Sequence, residues 1–169
     1  MKQRVNRAKA VALILNEVNK ATDITIEWYN RKLPDMKVDM DFFRKICYAY
    51  YLCAARFGLI SFQRLRMNED VKMLTVMIKK IVEDRFDGKE EHSRNIMWLI
   101  NQLYGEVDSV FSSYYKPLKE LQKIYAEHAL VGEYTEQEIV DAQVEIDHVF
   151  HDFGQDMLKW FRREIKIIP

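Results

Sequence analysis

Between Thr135 and Phe153, two rows of residues recur at steps of three and four. Ile139, Ala142, Ile146, Val149 and Phe153 form an apolar row. One residue earlier at each step, Glu138, Asp141, Glu145, His148 and Asp152 form an acidic row that includes one histidine. Steps of three and four are the repeat of a helix face, so both rows predict one α-helix with an oily and a charged line about 100° apart. Thr135 and Glu138 at its start have the spacing of a capping box. Gly154 is expected to end this helix or bend it.

The same periodicity predicts about six helical segments. The first spans roughly Asn6 to Arg31 on Val11, Leu15 and Val18, extending over Ile26 and Tyr29. Residues 23–28 also alternate with period two, so a short strand or irregular segment is the alternative there. A two-helix reading of Ala10 to Leu33, with a turn near Lys20 to Asp23, would resemble a helix-turn-helix, although that turn lacks a glycine. The second helix, capped by Asp39 or Asp41, is expected to bury Phe43, Ile46, Cys47, Tyr50, Tyr51, Ala54 and Phe57 and to end at Gly58. A third follows Asn68, a fourth runs from about Ser93 to Tyr115, and a fifth begins at Pro117 and closes at Val131-Gly132.

Composition supports long elements. Only 5 glycines and 3 prolines occur in 169 residues, so turns are few. Hydrophobic residues at 49% and charged residues at 31% describe a folded globular chain, not a disordered one. The longest apolar runs fall well short of the roughly twenty residues that span a bilayer. Cys47 and Cys53 lack paired spacing and read as reduced core thiols of a cytoplasmic protein.

Charge is zero in total but not in distribution. Residues 1–66 hold 13 basic and 6 acidic residues, a net +7, which leaves 13 and 20, a net −7, for residues 67–169. The basic part offers Arg56, Arg64 and Arg66, among others, to an anionic partner such as nucleic acid. Neutrality of the whole argues against a dedicated nucleic-acid binder, and two packed halves can neutralise each other. Association of basic on acidic surface between copies is the third reading.

Candidate chemistry is sparse. Glu145 and His148 form a Glu-x-x-His pair of the kind that helical di-metal proteins use twice, and Asp152 extends it by one turn. No second such pair exists, and a charged flank beside an apolar row is the ordinary dress of a bundle helix. Arg85 and His92 have an Arg-x6-His spacing that resembles the signature of the HEPN ribonucleases, which are compact helical bundles. A chain with this many arginines and histidines yields about one such match by accident, so no assignment follows. Asp152-Phe153-Gly154 lacks the other kinase motifs, and no phosphate-binding glycine loop or nucleophile elbow is present.

Tyr48 falls off the expected buried face of its helix, a position suited to protein contacts; the plainer alternative is a tyrosine-rich core. The apolar tail from Trp160 to Pro169 is expected to dock on its own bundle or on a second copy. The expectation is therefore an all-α, single-domain cytoplasmic bundle of about six helices over residues 1–169. Its work would be binding, as a self-associating adapter or regulatory subunit with a protein partner and no membrane. A nucleic-acid-binding protein using residues 1–66 is the first alternative. A metalloenzyme on Glu145, His148 and Asp152 is the second, the only reading that requires a cofactor.

Overall fold

The computed structural model describes residues 1–62, 76 and 122–168. The expected third and fourth helices and the first part of the fifth lie outside them. The described residues are mostly helical, as the periodicity predicts, with one small two-stranded sheet. Strand β1 is Gln3–Val5, helix α1 is Arg7–Lys32, α2 is Met40–Phe62, α3 is Glu136–Arg163 and β2 is Ile165–Ile167. A π-helical turn at Tyr125–Ala129 precedes α3.

Helix α1 starts where Asn6 caps it, the side-chain oxygen accepting from the Lys9 amide at 2.9 Å. It then runs unbroken through residues 20–28, so neither the strand nor the helix-turn-helix forms. Thr22 and Thr25 are accommodated within it. Their hydroxyls donate to the carbonyls of Val18 (2.8 Å) and Ala21 (2.7 Å), which satisfies them inside the helix. The buried face continues at Thr22, Thr25, Ile26 and Tyr29, while Ile24, one of the three apolar residues of the period-two pattern, is 47% exposed.

Helix α2 is the central rod. Asp39 caps it by accepting from the Phe42 amide at 3.0 Å. Every residue from Lys45 to Ala55 is buried, so the helix has no solvent face over three turns. Tyr48, only 3% exposed, belongs to the core. The single buried face expected for this helix was too narrow, because α2 is covered on more than one side. Gly58 does not end it. The helix runs on to Phe62, and a methyl at Gly58 would intrude on the ring of Phe161, so the glycine allows α2 and α3 to approach closely.

Helix α3, 28 residues and about 42 Å long, carries the expected capping box, with Thr135 and Glu138 bonding reciprocally. It continues through the buried Gly154 to Arg163. Its buried residues are Ala142, Ile146, Phe150, Gly154, Met157, Leu158 and Phe161, with Ile139, Val149 and Phe153 only half-buried. The core line is thus rotated from the apolar row read in the sequence, and Phe150 is its central member. The Phe150 ring packs on Tyr50 at 4.5 Å and Tyr51 at 5.6 Å between centroids.

Tyrosine hydroxyls stitch the core. Tyr29 donates to the Met36 carbonyl at 2.8 Å, and so must accept from the Tyr125 hydroxyl, 2.7 Å away. By the same proton count Tyr51 donates to Thr25 at 2.7 Å. The turn after Tyr125 is held to residues 36–39 by Asp39 N–H to the Ala129 carbonyl and Val131 N–H to the Lys37 carbonyl, both 2.9 Å. Gly132 follows with φ +113°, a conformation that suits glycine.

The tail docks on its own bundle. Strands β1 and β2 pair in parallel, with Gln3 beside Ile165, Arg4 beside Lys166 and Val5 beside Ile167. Val5, Ile165 and Ile167 point into the core, and the flanking bonds run from Gln3 N–H to Glu164 O (2.7 Å) and from Ile168 N–H to Val5 O (2.9 Å).

Candidate interaction surface

Helix α3 organises the surface as well as the core. Glu138, Asp141, Glu145, His148 and Asp152 are all exposed, on the side of the helix away from Ile146 and Phe150. The acidic row is therefore an outer face and not a half-solvated flank. Glu138 is partly committed to the cap: the amide and hydroxyl of Thr135 hold its carboxylate below the usual range. Asp141 accepts from the Gln137 amide at 2.7 Å. Glu145, His148 and Asp152 stand along this open face, and among the described residues no group of three His, Cys, Asp or Glu is arranged to hold a metal ion.

The last turns of the same helix reverse the sign. Lys159, Arg162 and Arg163 are exposed, and Lys166 continues them in β2. No lysine or arginine occurs between Lys123 and Lys159, so α3 is acidic over most of its length and basic at its end. Cations at a helix C-terminus and carboxylates at its N-terminus both suit the helix dipole. Pairing of β1 with β2 then brings Lys2, Arg4 and Lys9, also exposed, to this end. The molecule thus has a basic pole assembled from residues distant in sequence. Summing charge by halves hid it, because the acids of residues 133–152 outweigh the cations that follow. The usable signal was the lysine- and arginine-free stretch and its abrupt end.

Of the residues assigned to nucleic acid from sequence, Arg56 lies in α2, and Arg64 and Arg66 lie outside the described residues, as do Arg85 and His92.

A cleft of about 90 Å³ between α1 and α2 is lined by Asn19, Thr22, Asp23, Asp41, Arg44, Lys45 and Tyr48. Its charges pair internally. Arg44 meets Asp23 at 2.6 Å, and Lys45, whose side chain is 7% exposed, meets Asp41 at 3.0 Å. The space is well below the several hundred Å³ of a typical small-molecule site, and the pairs neutralise it.

One carboxylate is set apart. Asp147 is half-buried, accepts from the Gln122 side-chain amide through Oδ2, and has no hydrogen-bond partner for Oδ1 among the described residues. Burial pushes its carboxyl up to about 6, against the lowering influence of Gln122 and His148. Cys47 and Cys53 are buried thiols that form no disulfide, and burial raises Cys47 well above the ordinary thiol range.

Among the described residues no helix is long and apolar enough to cross a membrane. The chain matches no protein-family model, and no curated protein or solved structure matches it.

Proposed function

We propose that this protein is a non-catalytic, self-associating interaction module, an adapter or regulatory subunit of the cytoplasm. One observation carries the reading: a single exposed helix presents a long acidic face that gives way to a basic pole. A surface divided in this way attracts its own opposite, while total neutrality avoids long-range repulsion between copies. The buried thiols Cys47 and Cys53, which form no disulfide, suit a reducing compartment. Sedimentation velocity at low and high salt tests the association. The expected result is a reversible dimer or higher species at micromolar concentration in low salt, shifting to monomer in molar salt. A monomer throughout overturns the reading.

A second reading, binding of nucleic acid, is favoured by the side-by-side placement of Arg4 and Lys166 in the strand pair. Two adjacent exposed cations are poised for phosphate oxygens. Fluorescence anisotropy with a labelled single-stranded oligonucleotide would show affinity that falls steeply with salt and drops on Arg4→Glu with Lys166→Glu. Binding unaffected by either change removes this reading.

A further inference from the structure

We infer that the partner of α3 is the α3 of a second copy, laid antiparallel about a two-fold axis at the level of Phe150. This inference rests on the self-association proposed above and specifies its surface. The outer face of α3 carries Glu138, Asp141 and Glu145 before that level and Lys159, Arg162 and Arg163 at its far end, with Asp152 and Asp156 between, so its two ends are complementary when the face is reversed. Turning a second copy by 180° brings Asp141 opposite the partner's Lys159, Glu138 opposite the partner's Arg162, and His148 opposite the partner's Asp152. Symmetry repeats each pairing, as an isologous contact requires. A parallel arrangement would instead oppose acid to acid and base to base. Val144, 45% exposed, lies within the acidic stretch of this face and adds a small apolar element.

The groups are free to act in this way. Asp141 and Lys159 are exposed, and the bonds they make, to Gln137 and to Asp156 at 3.0 Å, are short-range contacts along their own helix. Exposed ion pairs are weak and screened by salt, so the dimer is a weak, salt-sensitive one in which charge sets orientation more than strength.

Charge exchange in the 169-residue chain provides the test, read by sedimentation velocity in low salt with circular dichroism as a check on folding. Asp141→Lys alone and Lys159→Asp alone should each weaken self-association about tenfold, because each converts two attractive pairs into two repulsive ones. The two variants mixed in equal amounts should associate with each other, and the double variant should recover self-association. An arrangement that sets residue 141 against the partner's residue 159 gives that pattern. If wild-type protein associates but the exchanges leave it unchanged, the antiparallel pairing is wrong and self-association stands. If the wild type stays monomeric at every salt concentration, both fall.

Discussion

Arg4 and Lys166 are register partners in the parallel pair β1–β2, both turned to solvent while their neighbours Val5, Ile165 and Ile167 are buried. Strands in a sheet lie about 4.8 Å apart, so two positive charges are held beside each other at the edge of the core. Burial of the alternate residues fixes the register, and the cations must follow it.

Lys166→Glu should therefore stabilise the fold, by about 0.2–1 kcal/mol in low salt, since an opposed pair replaces a repulsive one. The gain should shrink as salt is raised toward molar concentrations. Urea melts at two ionic strengths measure both effects, and an unchanged or lowered midpoint in low salt would speak against the pairing.

Gly58 lies directly against the ring of Phe161 where α2 meets α3. Gly58→Ala gains helix propensity worth about 1 kcal/mol but forces a methyl into an aromatic ring buried in the core. Overpacking of this kind costs about 1–3 kcal/mol, so net destabilisation is expected. Adding Phe161→Leu should recover part of the loss. Chemical denaturation of the two single variants and the double variant gives the coupling.

Tyr29 and Tyr125 should not be equivalent. Tyr29→Phe leaves the Met36 carbonyl without its donor and Tyr125 without its acceptor, at a cost of about 1–3 kcal/mol. Tyr125→Phe leaves the bond to Met36 intact and should cost about 0.5–1.5 kcal/mol. The order of the two unfolding free energies is the measurement that matters.

Asp147 provides a pH signature. Its folded carboxyl titrates near 6, above the ordinary aspartate value of 3.8. The folded state thus binds the proton more tightly than the unfolded state does. That contribution to stability is fully present below about 4 and is lost as pH rises through about 6. Asp147→Asn should therefore gain on the wild type between pH 4 and pH 7, by on the order of 1 kcal/mol once partial exposure is allowed for. Thermal melts of both proteins across that range would reveal it, and parallel curves would exclude it.

Residue patterns conveyed the helices well and their covered sides less well. The Thr135 cap, the start of α1 near Asn6 and α3 as far as Phe153 follow from spacing, because capping and periodicity are local, whereas the passage of α3 through Gly154 to Arg163 does not. Phe150 was not found, since Val149 and Phe153 fit the same steps of three and four and only the position of α2 selects between two lines of apolar residues. Tyr48 failed for a related reason: one helix's own sequence does not reveal how many neighbours enclose it. Residues 23–28 misled through Ile24, an apolar residue that the fold leaves in water. Docking of the tail was legible from its apolar residues, but a three-residue strand pairing with residues 3–5 has no signature in either segment alone. On the surface, the acidic row was read in full, whereas the basic pole exists only once β1 meets β2.

That meeting has a consequence in time. Val5 must wait for Ile167, made about 160 residues later, before its ladder can close. At a ribosomal pace of 5–20 residues per second the delay is on the order of ten to thirty seconds. During it α1 and α2 can zip and collapse with a naked first strand, and contacts this remote in sequence belong to the slow end of folding. The segment that holds Val5 is thus made well before its partner and is among the last to find its place.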